Sequence, residues 1–313
     1  MITEAVLVLV ALGFSWSMGA HYTGACMGMP YAAGSIKLRP ALTLMAAMTL
    51  LGATFFSHHV LMDVGHGIVL SPLRASAAIS VIGVACLLTI LFTQLRIPTS
   101  TIQIMVFALI GTSIPLGLSV EWTTVLRLAI FWLLAPFLAC GLGFLFTKIL
   151  DLIPWMRCTG SASHIGSALV IAGAIASVAM GANDVSNATA VFLSTRLSGP
   201  LVAGFIGGTG LALGVVTWGR PLLERVAFEV VKLDRVMATA AQLVQALVVL
   251  TAVSFGYFTS MNQALVGAMA GAGLARGRKT IKATTVFTIV QGWLIGPGAG
   301  FAVAYFVASV YLK

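Results

Sequence analysis

Long apolar stretches separated by short polar connections run along the whole chain. They lie near residues 2–24, 41–61, 73–95, 99–118, 123–147, 165–188, 198–218, 234–256, 260–275 and 284–311. A helix needs about 20 apolar residues to cross a bilayer, and most of these runs are that long. The runs at 99–118 and 260–275 are short or flanked by Ser, Thr and Pro, which indicates broken or re-entrant helices. The pattern predicts an all-α polytopic membrane protein with about ten membrane segments.

Composition excludes a soluble protein. Of the 313 residues, 59% are hydrophobic and only 8% are charged, whereas a soluble globular chain carries about 25% charged residues. The connections leave no room for a soluble catalytic or nucleotide-binding domain. No phosphate-binding loop of the form G-x-x-x-x-G-K-[ST] occurs either.

Basic residues are distributed unevenly between the two sides that the crossings define. The chain has 17 Lys and Arg against 8 Asp and Glu, a net charge of +9. If each run crosses once, thirteen basic residues share one side, and the remaining four are Arg74, Arg127, Arg196 and Lys313. Basic residues favour the cytoplasmic side, so both termini are expected outside, in a bacterial-type inner (cytoplasmic) membrane. The basic cluster at 276–282 is expected to contact anionic membrane lipid and not nucleic acid.

The second half of the chain repeats features of the first. At an offset of 160 to 162, residues 18–20 match 180–182, residues 98–103 match 258–263, and residues 132–136 match 293–297. Each half, 1–155 and 156–313, holds five apolar runs, and an odd number places the second copy upside down relative to the first. The chain is therefore expected to form two inverted five-helix repeats, an architecture typical of secondary transporters, with broken or re-entrant helices at the centre.

One acidic residue lies well inside an apolar run. Asp184 stands in the string G-A-N-D-V-S-N-A at 181–188, whereas the other seven acids fall near run ends or in connections. A carboxylate at bilayer depth must face the bundle interior or a wet cavity, and it marks an ion or substrate path by default. The structural alternative is a cap at a broken helix, paired with an arginine from a loop.

This string resembles the G-A-N-D-V-A-N-A motif of the inorganic phosphate transporter family and differs from it only at Ser186. Residues 98–103 and 259–263 resemble that family's P-V-S-T-T-H elements, and Trp293 with Pro297 resembles its late Trp/Pro helix. The resemblance covers about residues 10 to 305 in the family's order. It implies an inverted-repeat symporter in which phosphate binds at the centre and sodium ions or protons drive uptake.

The first half departs from the family motif. His21, Tyr22 and Ala25 stand where the family has Asn, Asp and Asn, so one of two central carboxylates is missing. The continuation through Lys37 resembles the sulfate permease branch of the family. Phosphate near neutral pH can donate a proton to a carboxylate, whereas sulfate has none and is only repelled. The loss of an acid therefore favours sulfate over phosphate.

Two Ser/Thr segments are the candidate anion site, because each precedes a Gly/Ala-rich helix whose N-terminus can bind an anion without Arg or Lys. The alternative for these hydroxyls is a bond back to the preceding turn. The candidate substrate ligands are Thr99, Ser100, Thr101, Thr259, Ser260, Asn183, Asn187, Tyr22, Gln103 and Gln263. For Tyr22, and for His21 beside it, a core tyrosine and a capping histidine are equally open interpretations. Asp184 and Asn183 are the candidates for cation coupling, with Asp184 a candidate sodium ligand.

These observations predict a secondary active symporter that imports sulfate by alternating access, driven by sodium or protons. A phosphate:cation symporter is the first alternative, and an anion channel or a transport-like sensor is the second. No enzymatic activity and no cofactor beyond the coupling cation are expected, because no nucleophile or metal cluster accompanies Asp184. We also expect the protein to form a homodimer.

Two remaining sets of residues favour ordinary roles. The group His58, His59, Asp63 and His66 falls in one connection and indicates either a zinc site or an exposed interfacial loop. The four cysteines, Cys26, Cys86, Cys140 and Cys158, lack metal-binding spacing, which favours simple packing.

Overall fold

Helices form the regular structure in the part of the chain that the computed structural model describes. That part comprises residues 2–71, 73–95, 97, 99–157, 162–195, 197–225, 233–277 and 283–312. The helices are α1 (Ile2–His21), α2 (Thr23–Ala32), α3 (Leu38–Phe55), α4 (His58–His66), α5 (Ala75–Gln94), α6 (Thr101–Ser113), α7 (Trp122–Asp151), α8 (Pro154–Arg157), α9 (Ala162–Ser194), α10 (Pro200–Trp218), α11 (Arg220–Arg225), α12 (Arg235–Ser254), α13 (Met261–Ala275) and α14 (Ala283–Tyr311). An isolated antiparallel bridge joins Val69 to Val120.

Eight helical segments of the described chain are long and apolar enough to cross a membrane. One of them combines α1 and α2, and the others lie in α3, α5, α7, α9, α10, α12 and α14. The chain is therefore an all-helical integral membrane protein, as the apolar runs predict. The two runs that the sequence marks as short form α6, with 13 residues, and α13, with 15.

The run at 41–61 divides into two helices. Its first part ends at Phe55, and the Ser57 hydroxyl donates to the carbonyl oxygen of Ala53 at 2.5 Å. The short helix α4 then begins at His58, where the sequence had indicated only a connection. A serine hydroxyl that bonds back to the preceding turn competes with the backbone and slightly destabilises a helix, which fits the break at this point.

The two stretches that match each other around Tyr22 and Asp184 differ in their backbones. The helix is interrupted at Tyr22, between α1 and α2, whereas α9 continues through residues 181–188 without interruption. Asp184 is therefore an interior residue of α9 and not a helix cap. Within α2, Pro30 lacks an N–H group and cannot bond the Cys26 carbonyl, which instead accepts from Gln242 Nε2 at 3.0 Å.

Helices pack in matched pairs across the two halves of the chain. Helix α1 packs on α10 as α9 packs on α3, α1 on α5 as α9 on α12, and α6 on α14 as α13 on α7. Glycines allow the closest of these approaches. A Cβ atom on Gly19 would collide with the carbonyl oxygen of Leu211, and one on Gly181 with that of Thr49. Both glycines and both partners are related by an offset of 162.

An ion-pair cluster joins three helix ends. The Arg276 guanidinium, after α13, donates to Asp151 at the end of α7 and to Asp234 at the start of α12. Partial burial acts to lower the pKa of Arg276, but its bonds to Asp151 and the charge of Asp234 outweigh burial and raise it. The positions that match these three residues by the repeat offset, Leu116, Leu312 and Arg74, line a surface cavity of about 360 Å³ and form no such cluster.

Candidate functional site

The candidate site is built around the first turns of α6 and α13. Each helix begins after a fully buried serine whose hydroxyl accepts from the backbone N–H three residues on, Ser100 from Gln103 and Ser260 from Gln263, both at 3.4 Å. These serines are N-caps, so their hydroxyls bond forward into the new helix and not back to a preceding turn. Both caps leave the partial positive charge of a helix N-terminus inside the protein.

The two N-terminal ends lie next to each other. Asn262, in the first turn of α13, donates from Nδ2 to the carbonyl oxygen of Thr99 at 2.8 Å. Thr99 directly precedes the cap of α6. The structure therefore brings together the two Ser/Thr segments that the sequence had only matched by repeat, over 163 residues of separation.

Asn183 fixes the segment before α13 to the middle of α9. Its side-chain oxygen accepts from the Thr259 backbone N–H at 3.0 Å, and its Nδ2 donates to the Thr259 carbonyl at 2.9 Å. The same nitrogen donates to Asp184 Oδ2 at 3.1 Å. A single amide thus positions both the anion-site segment and the carboxylate.

Asp184 is fully buried, the only carboxylate buried among the described residues. Its Oδ2 accepts from Asn183, and the hydroxyl groups of Tyr22 and Thr101 face the carboxyl group. Its Oδ1 has no hydrogen-bond partner in the described part of the chain. A buried oxygen without a partner is costly unless a ligand or water satisfies it, so this atom is available to bind a cation or a proton.

His21 and Tyr22 occupy the corresponding place in the first half. The Tyr22 hydroxyl lies 2.9 Å from Thr101 Oγ1 and accepts from the Thr101 N–H at 3.4 Å. His21 Nε2 lies 3.3 Å from the Thr99 carbonyl oxygen, and Nδ1 lies 2.9 Å from Thr93 Oγ1. Tyr22 therefore holds the first turn of α6, and His21 holds the segment before it.

Other buried polar atoms near Asp184 also lack a hydrogen-bond partner among the described residues. Besides Asp184 Oδ1, the side-chain oxygens without a hydrogen bond to described residues include those of Thr99, Gln103, Asn187, Gln242, Thr259 and Gln263. Proteins rarely bury so many unsatisfied polar atoms without a ligand or ordered water. The arrangement supplies two helix N-termini, neutral hydroxyl and amide groups and one carboxylate, which suits reversible binding of a small ion.

The structure places each predicted site residue and adds several that the sequence analysis missed. Asn187 donates from Nδ2 to Met18 Sδ at 3.7 Å and not to a residue of either cap. Asn262, Thr93, Gln242 and Gln245 were not singled out. Gln242 donates to the Ala25 and Cys26 carbonyls, and Gln245 donates to the Met261 carbonyl at 3.4 Å. Two glutamines three residues apart in an apolar run were the signal that could have found this pair.

The secondary candidates contribute little. The described residues contain no group of three His, Cys, Asp or Glu side chains that could hold a metal ion. The side chains of Asp63 and His66, which belong to the proposed zinc cluster, and the residue Cys158 lie outside the described part. Cys26, Cys86 and Cys140 are free thiols.

Known proteins resemble this chain in sequence and in fold. The model of the phosphate transporter family matches residues 18–304. Sulfate permease CysP of Bacillus subtilis is 25% identical over 99% of this chain and 88% of its own length. The chloroplastic inorganic phosphate transporter 2-1 of Arabidopsis thaliana is 32% identical over 46% of this chain and 27% of its own length.

A solved structure shares the fold. It is that of a protein named the sodium-dependent phosphate transporter, which superposes with a TM-score of 0.90 at 21% sequence identity and covers 99% of both chains. The family match, which extends over most of the chain, decides the classification. With its central Asn183-Asp184 pair inside the matched region, the chain belongs to the phosphate transporter family.

Proposed function

We propose that this protein is a secondary active symporter that imports a small tetrahedral oxyanion, sulfate in preference to phosphate, by alternating access coupled to a cation. The observation that carries the proposal is the unpartnered Asp184 oxygen beside two adjacent helix N-termini. An anion and a cation can be held together there. Binding each ion then favours binding of the other, which is the requirement for symport.

Sulfate is favoured by the chemistry of Tyr22. A tyrosine hydroxyl stands where the family motif has a second carboxylate, so only Asp184 opposes a dianion at the centre. Phosphate can share its remaining proton with a carboxylate, whereas sulfate cannot. Similarity to a protein named sulfate permease supports the same choice.

The cation is assigned to Asp184, with Asn183 as the residue that orients it. Sodium and a proton are the two candidates, and a sodium ion would require oxygen ligands around Asp184 Oδ1. The structural neighbour is itself named as sodium-dependent.

Two inverted repeats, residues 1–155 and 156–313, account for the matched helix pairs. The N-terminal ends of α6 and α13 meet at the Asn262 to Thr99 contact. From there α13 runs to the Arg276 cluster, and α6 runs to the cavity beside Arg74 and Leu312. Opposed half-helices around a central site are the arrangement expected for rocking between two open states. The eight spans together with α6 and α13 would give the ten membrane segments.

The uneven distribution of basic residues supports an orientation with both termini outside, in a bacterial-type inner membrane. Labelling of single cysteines placed near each terminus in intact cells tests this orientation. We also propose a homodimer, which crosslinking in the membrane tests.

Uptake into proteoliposomes made with the purified protein tests the function. Radiolabelled sulfate should accumulate against its gradient when a sodium or proton gradient is imposed, and selenate or thiosulfate should compete better than phosphate. Asp184→Asn should abolish accumulation, whereas Glu4→Gln, which changes an acid near the start of α1, should not. Stronger competition by phosphate than by selenate would favour the phosphate symporter instead.

Accumulation separates the carrier from its remaining rivals. A channel can only equilibrate its ion, and a transport-like sensor would bind the anion without moving it. Uptake that stops at equal concentrations on both sides would support a channel and contradict the symporter.

A further inference from the structure

His21 lies in a pocket whose two hydrogen-bonding groups can both accept a hydrogen bond from the ring. The imidazole is buried, with 3% of its surface exposed. Nε2 faces the Thr99 carbonyl oxygen at 3.3 Å, and a carbonyl can only accept. Nδ1 faces Thr93 Oγ1 at 2.9 Å, while this hydroxyl can itself donate to the Thr89 carbonyl at 2.7 Å.

The Thr93 hydroxyl lets this pocket satisfy two protonation states of His21. In the neutral state, Nε2–H donates to Thr99 and the Thr93 hydroxyl donates to Nδ1. When a second proton binds at Nδ1, the hydroxyl turns by rotation about one bond. It then accepts from Nδ1–H and donates to Thr89. Every polar group keeps a partner in both states, which is unusual for a buried histidine.

We propose that His21 is the proton-binding site that couples anion import to proton entry, with Thr93 as the positioning residue that receives the added proton's hydrogen bond. This proposal rests on the proposed symport function. It names a proton as the cation and places that proton on His21 in place of Asp184 Oδ1. One proton binds His21 together with the anion, and both leave on the opposite side of the membrane. No bond other than the N–H bond forms or breaks.

The second half of the chain lacks this device. Asn183 occupies the place of His21 and holds Thr259 as His21 holds Thr99, but an amide does not titrate. At the position matching Thr93, offset by 160, α12 carries Val253. A titratable ring and a hydroxyl thus occur together in the first half, and a fixed amide and an aliphatic side chain occur together in the second.

The surroundings of His21 contain few other charges. Tyr22 packs its ring edge-on against the imidazole, with 5.2 Å between the ring centroids. Helix α2 adds Cys26 and Tyr31, and α1 itself carries Glu4 near its start. On the helices packed against α1, the other titratable side chains that the structure describes are Cys86 in α5, His164 and Asp184 in α9, and Arg220 and Glu224, which pair with each other on α11. The described residues of α6 and α10 contain none. Among the described side chains of these helices, the fixed cation is Arg220, and it is paired with Glu224.

Burial makes protonation of the His21 imidazole unfavourable. This unfavourable free energy couples proton binding to anion binding, because the anion offsets it. An imidazolium in a dry site is unfavourable alone, and so is a dianion beside Asp184. Bound together, each offsets the charge of the other. The contact to Thr99 lies next to the Ser100 cap, so the proton also stabilises the segment that begins α6.

Proteoliposomes with an imposed pH difference, the membrane potential clamped and sodium absent, test the proposal. Wild-type protein should accumulate sulfate, and a difference of one pH unit supports about tenfold accumulation for each proton carried. Thr93→Val keeps the volume but removes the hydroxyl, so accumulation should be lost. Thr93→Ser keeps the hydroxyl and should restore it. His21→Asn, which copies Asn183, should also lose accumulation, whereas exposed His164→Asn should behave as wild type.

Sulfate counterflow at equal pH distinguishes loss of coupling from loss of folding. His21→Asn and Thr93→Val should retain measurable counterflow because the anion site remains. Proton-driven accumulation by either variant at the wild-type level would overturn the proposal. Accumulation by wild type with a sodium gradient alone, independent of pH, would overturn it while leaving the symport function intact. Absence of both sulfate and phosphate uptake would instead contradict the proposed function itself.

Nitrogen NMR of protein labelled in histidine gives a readout independent of transport. The His21 signals, assigned by their loss in His21→Asn, should change from neutral to doubly protonated at a higher pH when sulfate is present. A His21 ring that stays neutral with saturating sulfate throughout the pH range of transport would overturn the proposal.

Discussion

The centres of the two halves perform one structural task with different chemistry. In the second half, Asn183 holds the Thr259 backbone and Asp184 lies beside it. In the first half, His21 holds the Thr99 backbone and Tyr22 contacts Thr101. Both pairs therefore connect a long helix to the segment before a short one, but only the second pair includes a carboxylate.

This difference shows which features the matched packing requires and which it leaves free. Backbone carbonyls at Thr99 and Thr259 need a donor at the same place, and either an imidazole or an amide supplies it. The charge at the next position is not needed for packing, because Tyr22 is as completely buried as Asp184. Packing therefore does not determine whether this position carries a charge, and the charge can be suited to the ions that bind there.

Substitutions at Asp184 and Tyr22, the matching positions of the two halves, give the strongest test of the difference between the halves. We expect Asp184→Asn to lower cation-driven uptake about a hundredfold, because losing one partner of a buried ionic site costs about 3 kcal/mol. Tyr22→Phe removes one hydrogen bond, and about 1 kcal/mol corresponds to about a fivefold loss. Initial uptake rates in proteoliposomes measure both. Equal losses would show that the two halves do not differ in function.

The matched glycines should respond alike. We expect Gly19→Ala and Gly181→Ala each to lower the free energy of unfolding by about 1–3 kcal/mol, because the added methyl group collides with a facing carbonyl. Gly141→Ala is the control, since a Cβ there meets no atom within 4 Å. Denaturation of the purified protein in detergent measures the effect. If one of the two variants, Gly19→Ala or Gly181→Ala, kept wild-type stability and the other did not, the two glycine contacts would not be equivalent.

The two serine caps offer a smaller test. Ser100→Ala and Ser260→Ala should each cost about 1 kcal/mol, because each removes the oxygen that accepts from the first turn. Sulfate affinity, measured by calorimetry, should fall by a similar factor in both variants. A loss confined to one cap would place the anion at a single helix terminus.

The smallest effect is expected at the Arg276 ion-pair cluster, which has no counterpart at the matching described residues Leu116, Leu312 and Arg74. Arg276→Gln should cost about 1 kcal/mol or less, since the pairs are partly exposed to solvent and screened by salt. The raised pKa of Arg276 means that its charge stabilises the fold below its ordinary pKa and is lost only above the raised value. Thermal unfolding should therefore show no contribution from Arg276 titration across the neutral range. A large loss of stability would instead indicate that the cluster is essential for folding.

The sequence predicts the helices well because apolar length alone decides which segments can cross a membrane. It also singles out Asp184, which the structure buries completely, since a carboxylate inside an apolar run stands out from its neighbours. It does not predict the pairing of Asn183 with Thr259, which depends on how α9 packs beside α13. Asn262 and Thr93 were missed because a single polar residue in an apolar helix has many ordinary roles.

The close approach at Gly19 affects how the protein is made. Its partner Leu211 follows 192 residues later in the chain, and at 5–20 residues per second the ribosome needs roughly 10 to 40 s to reach it. Until then the glycine face of α1 has only temporary partners in the membrane. Assembly of the first half is therefore completed only after translation of the second, and the two halves should mature together.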